Sequence, residues 1–140
     1  MVFSYLDHIS DIYIHVYNDT LEGMFEEAAI ASFDVIMETS KVYRKTIINV
    51  ELDADDLEQL LYKWIDHLLY IFDAKSFAIS KTKVIINKKK THLSLTAKIF
   101  GESYAPKKHG QKVAIKAMTY SLMRISQKEG HWEAYFVLDI

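Results

Sequence analysis

A chain of 140 residues is about one domain long, and because half of its residues are hydrophobic it can bury a core of its own. It contains no cysteine, which excludes disulfides, thiolate metal sites and a cysteine nucleophile. A formal net charge of −2 at pH 7 excludes nucleic-acid binding through overall charge, so any RNA contact would have to be a local patch.

The same sequence indicates where the protein resides. No stretch is long and apolar enough to span a bilayer, and the N-terminus lacks the basic and apolar regions of a signal peptide. The absence of cysteine fits a reducing compartment. We therefore expect a cytoplasmic protein with no membrane segment, and we treat residues 1–140 as one domain.

The chain begins with a predicted strand and a predicted helix. Apolar and polar residues alternate over 11–17, which predicts a strand. Apolar residues at helical spacing then predict a helix over 20–37. Asp19 followed by Glu22 has the spacing of a capping box, which predicts that Asp19 caps this helix.

The middle of the chain predicts a second such unit and a hairpin. A strand is predicted over 45–52 and a helix over 55–72, with acidic residues at the start of that helix. Two further strands are predicted over 77–86 and 92–100, joined by the lysine-rich turn 87–91.

The last third is less regular. Residues 101–111 contain the only proline and two of the four glycines, which predicts a loop. We expect a bulged strand from residue 112 onward, a turn over 127–131 and a terminal strand over 132–140. The order β-α-β-α followed by several strands predicts an α+β domain, with a mixed or antiparallel curled sheet carrying two main helices.

The predicted terminal strand ends in two neighbouring carboxylate groups. The α-carboxylate of Ile140 is expected beside the side chain of Asp139, and two such anionic groups repel unless a cation lies between them. A divalent metal or a lysine could be that cation, and an end neutralised by solvent is the alternative. If the first and last strands are neighbours, Asp11 joins the pair, and three oxygen groups completed by water would form a calcium-type site. Zinc is the weaker choice because it would require His8.

Two other segments could carry chemistry. Asp7, His8 and Asp11 could serve as metal ligands or as an acid/base pair, or they could simply form a turn that enters the first strand. The basic run 107–112, with Lys116 after it, could contact a phosphate or nucleotide, or it could be a solvated loop. No nucleophile has a base nearby, so these residues do not suggest an enzyme.

Together these segments resemble the archease family over essentially the whole chain. Asp7–Ile12 is similar to the family's opening motif Asp-His-Thr-Ala-Asp-Ile, with Ile9 and Ser10 in place of Thr-Ala. The remaining similar segments are Leu60–Asp73, Gly101-Glu102, Lys108-His109, Ile115–Tyr120 and the ending Val137–Ile140. Their order and spacing make the resemblance specific.

The resemblance implies an accessory protein of the RtcB-type RNA ligase in transfer-RNA splicing and RNA repair. Such a protein promotes guanylylation of the ligase's active-site histidine and restores multiple turnover, and it does not itself join RNA. Its RNA contact is then indirect or weak. Further partners, such as a helicase or an RNA methyltransferase, are left open.

The resemblance also implies site residues. The family's metal, calcium in known members, would be held by Asp11, Asp139 and Ile140, with Mg²⁺ or Mn²⁺ as alternatives. Further motif positions are candidates for contact with the ligase or a nucleotide: Asp7, His8, Lys108, His109 and Lys116. Two other functions remain open, namely a stand-alone metal-dependent phosphotransferase or hydrolase and a small RNA-binding module.

Overall fold

Seven strands and three helices make up the part of the chain that the structure, a computed structural model, describes, which is residues 10–140. Asp7 and His8 lie outside the described residues. In chain order the elements are β1 (Asp11–Asn18), α1 (Leu21–Ile36), β2 (Thr46–Ala54), α2 (Leu57–Lys75), β3 (Phe77–Lys88), β4 (Leu93–Ser103), α3 (Pro106–His109), β5 (Ala117–Met118), β6 (Arg124–Lys128) and β7 (His131–Asp139). A short 3-10 turn, Thr39–Lys41, follows α1.

The strands form two separate antiparallel sheets. In the first sheet, β7 pairs with β1 on one side and with β6 and β5 on the other. In the second sheet, the order is β2-β4-β3. The α+β class with two main helices is confirmed. All pairs are antiparallel, and the strands form two sheets rather than the single curled sheet that we expected.

Both main helices pack against both sheets, so all of these elements share one hydrophobic core. Trp64 of α2 is fully buried, and its Nε1 donates to the Phe25 carbonyl of α1 at 2.9 Å. α1 also protects an edge of the second sheet, because the carboxylates of Glu26 and Glu22 accept hydrogen bonds from the Val84 and Ile86 N–H groups of β3. Such capping hides donors that would otherwise pair with another chain.

The helix starts show where local sequence signals succeed and where they fail. Asp56, one of the acidic residues expected at this helix start, caps α2 by accepting from the Gln59 N–H at 2.8 Å. The cap of α1 is Thr20, whose Oγ1 accepts from the Gly23 N–H at 2.9 Å. The predicted Asp19 cap is therefore wrong by one residue: the hydroxyl of Thr20 makes the capping bond.

The predicted hairpin is confirmed by β3 and β4, and the terminal strand by β7. Gly101 on β4 is required by close approach, since a Cβ there would lie 1.8 Å from the Ala78 carbonyl oxygen. The long strand predicted from residue 112 is wrong. Only Ala117–Met118 and Arg124–Lys128 are strands, because the backbone of 112–113 bonds to the end of α1 instead of to a strand.

Candidate functional site

Asp11 and Asp139 lie directly opposite each other at one end of the first sheet. They are register partners in the antiparallel pairing of β1 with β7. Residues that are opposite in this way point to the same face, with Cβ atoms about 4.5–5.5 Å apart. Asp11 is exposed and Asp139 is half-buried, so solvent reaches both residues. We call these two residues the carboxylate pair.

Three distant segments of the chain converge at the carboxylate pair. The Ile140 N–H donates to the Ser10 carbonyl at 2.8 Å, which continues the β1–β7 pairing to the last residue. On the other side of β7, the Lys116 N–H donates to the Asp139 carbonyl at 2.7 Å, and Ala117 is the register partner of Asp139. The backbone therefore places all three predicted metal-site residues and Lys116 in one neighbourhood.

The carboxylate pair has no protein cation beside it among residues 10–140. No Lys, Arg or His nitrogen in that part of the chain lies within 4.0 Å of either carboxylate. The exposed side chain of Lys116 instead lines a shallow surface depression with Asp66 and Tyr70 of α2. A lysine as the neutralising cation, one of the alternatives considered above, is thus not found in the described residues.

The donor set of the carboxylate pair fits a hard divalent cation, because carboxylate oxygens are the ligands that calcium, magnesium and manganese prefer. Within residues 10–140 no three His, Cys, Asp or Glu side chains are grouped so that they could hold a metal ion by themselves. The third oxygen donor in the predicted site is the main-chain carboxyl of Ile140, which is not a side chain. Water would complete the coordination.

A second and very different charged site surrounds Glu102 at the end of β4. Its side chain is buried, and its Oε2 accepts from the Tyr43 N–H at 2.8 Å, from Lys108 Nζ at 2.8 Å and from His109 Nε2 at 2.9 Å. Lys45 Nζ lies 3.6 Å from the other carboxylate oxygen. We call these five residues the Glu102 cluster.

The protonation of this cluster follows from its hydrogen bonds. Nδ1 of His109 accepts from the Ala105 N–H at 3.0 Å, so Nε2 must carry the hydrogen that it donates to Glu102, and the ring is a neutral tautomer. The Lys108 hydrogen bond, followed by those from Tyr43 and His109, lowers the pKa of Glu102 to about 2. Glu102 is therefore ionised at any pH near neutrality.

The Glu102 cluster holds the basic segment 104–113 against the rest of the domain. His109 is fully buried, and its carbonyl accepts from the Glu38 N–H at 2.7 Å. Nζ of Lys108 lies 3.7 Å from the centre of the Tyr43 ring, a cation–π contact. Lys112 bonds the end of α1 through both its backbone N–H and its Nζ. This segment is therefore not a freely solvated basic loop.

These contacts change how two predicted contact residues are interpreted. A ring as buried as that of His109 cannot touch a partner, so its position supports a structural role in the loop that leads to Lys116. Lys108 is partly exposed but already paired with Glu102. Glu102 itself was given no role from the sequence. The available signal was one acidic residue placed six and seven positions before Lys108 and His109.

Two antiparallel sheets packed with two main helices, with two carboxylates facing each other at one sheet end, define a small α+β domain. The sequence model of the Archease protein family (MTH1598/TM1083) matches residues 3–140. The chain therefore belongs to the archease family. No helix within residues 10–140 has the length and apolarity needed to cross a membrane.

Individual relatives are similar in sequence to this chain over nearly its full length. Protein archease of Sulfolobus acidocaldarius is 41% identical over 138 residues, which is 99% of this chain and 98% of that protein. Protein archease of Pyrococcus furiosus is 41% identical over 135 residues, covering 96% of this chain and 95% of that protein.

Two solved structures share the fold. The solution structure of protein 1598 from Methanobacterium thermoautotrophicum has a TM-score of 0.82 and 35% identity, and the match covers 94% of this chain and 93% of that chain. The crystal structure of TM1083 from Thermotoga maritima, described as an archease and possible chaperone, has a TM-score of 0.61 and 17% identity, covering 95% and 93%. At that identity the second match shows the fold alone.

Proposed function

We propose that this protein is a non-catalytic activator of an RtcB-type RNA ligase in transfer-RNA splicing and RNA repair. It acts in the cytoplasm through a divalent metal held by Asp11, Asp139 and the main-chain carboxyl of Ile140. The observation that carries the proposal is the register of β1 on β7, which sets two carboxylates opposite each other with no neutralising cation in the described residues. Calcium is the expected ion, with Mg²⁺ and Mn²⁺ as alternatives.

The ion, when bound, would supply positive charge that stabilises negative charge on phosphate oxygens. The chain's own residues do the rest: the carboxylate pair holds the ion at the rim of the first sheet, where a partner can reach it. The backbone hydrogen bond from the Lys116 N–H to the Asp139 carbonyl fixes β7 from its other side, and the Lys116 side chain lies in the neighbouring depression with Asp66 and Tyr70. Membership of the archease family supports the role itself, promotion of guanylylation of the ligase's active-site histidine and of multiple turnover.

A stand-alone metal-dependent phosphotransferase or hydrolase has less support. It would need a second metal site or a general base near the carboxylate pair. Within residues 10–140 no His, Cys, Asp or Glu side chain completes a three-ligand cluster there. Incubating the purified protein with RNA and nucleotide, without a ligase, separates the two functions, since turnover under those conditions would favour the enzyme.

The decisive experiment measures multiple-turnover ligation by the cognate ligase with the wild-type protein and with Asp139→Asn. We expect no stimulation by the variant and a loss of calcium affinity of about 100-fold or more, because removing a direct ligand should cost at least as much as removing an outer partner. A chelator should abolish stimulation by the wild-type protein. Thermal unfolding should show that Asp139→Asn remains folded.

The matched control is Glu133→Gln, which neutralises another carboxylate on β7, six residues away and bonded to His15. It should stimulate the ligase as the wild type does. Full stimulation by Asp139→Asn would remove the carboxylate pair from the mechanism. A short extension after Ile140 tests the third donor separately: unchanged ion affinity in the extended protein would exclude the Ile140 carboxyl as a ligand.

A further inference from the structure

The outward face of the second sheet carries three lysines in adjacent positions. Lys83 of β3 and Lys98 of β4 are direct register partners, so their side chains leave the sheet side by side on the same face. Lys81 lies two residues before Lys83 on the same strand and is the register partner of Phe100. All three lysines are exposed. We call these lysines the sheet lysines.

The sheet lysines are not neutralised by the rest of the described chain. No Asp or Glu oxygen within residues 10–140 lies within 4.0 Å of Lys81, Lys83 or Lys98. Two like charges directly opposite each other on a sheet are destabilising. An anion bound between Lys83 and Lys98 would remove that repulsion, so the register itself points to a negatively charged ligand.

Apolar side chains lie between and beside these charges. Ile85 and Ile47 are 51% and 49% exposed, and Phe100, the register partner of both Ile47 and Lys81, is half-buried. Ile85 and Phe100, together with Lys83 and Lys98, line an open depression of about 520 Å³. Glu51 is the carboxylate that lines it, and the two lining lysines, Lys83 and Lys98, leave the depression with a net positive charge.

We propose that this face binds single-stranded RNA, with the sheet lysines on phosphates and with Phe100 and Ile85 against the flat faces of bases. Single-stranded nucleic acid combines the two properties that the face requires, a chain of anions and apolar planar groups. An open sheet face carrying an aromatic residue suits bases better than it suits a peptide, whose anchor side chains need deeper pockets. This surface is separate from the carboxylate pair, so it goes beyond the proposed activator function.

The test is fluorescence anisotropy of a labelled oligouridine of about 15 nucleotides. Binding through three phosphates predicts a slope of log affinity against log salt of about −2, at about −0.7 for each phosphate contact. Lys83→Gln/Lys98→Gln should reduce the slope to about −0.7 and weaken binding at least about tenfold at low salt. Phe100→Leu should weaken binding while leaving the salt slope unchanged.

The matched control is Lys88→Gln/Lys89→Gln, which removes the same charge at the β3–β4 hairpin tip. It should bind as the wild type does. Three results would overturn the proposal: no wild-type binding up to about 1 mM protein, an equal loss in both double variants, or competition by polyglutamate as strong as that by oligouridine. The last result would assign the face to an acidic polypeptide. If Lys83→Gln/Lys98→Gln binds RNA as tightly as the wild type and still stimulates the ligase, the RNA-binding proposal fails and the proposed activator function stands.

Discussion

The Glu102 cluster and the carboxylate pair differ in whether the protein itself neutralises their negative charge. Glu102 is buried, and one of its oxygens accepts three hydrogen bonds from a lysine, a histidine and a backbone N–H. Asp11 and Asp139 face each other across a strand pair with no protein cation beside them in residues 10–140. The first site is satisfied within the chain and stabilises it. The second retains an unbalanced charge, which makes it suited to an external ligand.

The largest expected effect is on folding and comes from Glu102→Leu. The substitution leaves the buried His109 Nε2–H and the Tyr43 N–H without their acceptor, so we predict a fall in Tm of about 10 °C. Calcium affinity should change little, because Asp11 and Asp139 are held by strand pairing instead. Circular dichroism melting and calorimetric titration measure the two effects.

Glu38→Leu is the control for Glu102→Leu. Glu38 also has a lysine partner, Lys41 Nζ at 3.2 Å, but both side chains are exposed, and exposed ion pairs contribute little. We expect its Tm to stay within a few degrees of the wild type. Equal losses of Tm in the two variants would break the distinction between a buried satisfied cluster and a surface ion pair.

The second prediction concerns the stability of the folded protein at low pH. Folding depresses the pKa of Glu102 from 4.5 to about 2, so the cluster's contribution to stability is fully present above pH 4.5. It should be lost progressively as the pH falls from about 4.5 toward 2, where Glu102 becomes protonated in the folded protein. Urea unfolding of wild type and Glu102→Gln at several pH values measures this. The stability difference between them should shrink over that window, and a constant difference would contradict the assigned pKa.

The smallest expected effect is a gain in stability rather than a loss. Asp11→Asn removes one of two like charges that face each other across strands, so without added metal we predict a gain of about 0.2–1 kcal/mol in the free energy of unfolding. With calcium present the order should reverse, because the wild type gains stability by binding the ion. Asp19→Asn, an exposed aspartate just after β1, should change neither value. Destabilisation of metal-free Asp11→Asn would show that the pair is not repulsive.

Several elements could be predicted locally because local spacing decides them. The strand over 11–17, both main helices and the β3–β4 hairpin depend on periodicity and turn residues within one segment. The predicted Asp19 cap failed because Asp19 and Thr20 are both good capping residues, and only the observed geometry selects Thr20. The predicted strand after residue 112 failed because its backbone donors bond to the end of α1, a partner remote in sequence.

The candidate site was predicted in part. The sequence resemblance indicated Asp11, Asp139 and Ile140, and β1–β7 pairing brings these three into one neighbourhood. Their role as metal ligands remains a prediction. The interpretation of segment 107–112 as a basic loop missed the structural role of Glu102, since nothing in local spacing says that an acidic residue on β4 folds back under Lys108 and His109.

What the sequence determined by itself are the short-range properties: which segments are helical, where apolar residues repeat, and how charge is distributed along the chain. The tertiary structure alone decided which charges meet. It placed Asp11 opposite Asp139, Glu102 against His109, and Lys83 opposite Lys98. The physical reason is that strand register and loop docking arise from hydrogen bonds and packing between segments remote in sequence, and a shift of one residue would turn each of these side chains to the other face.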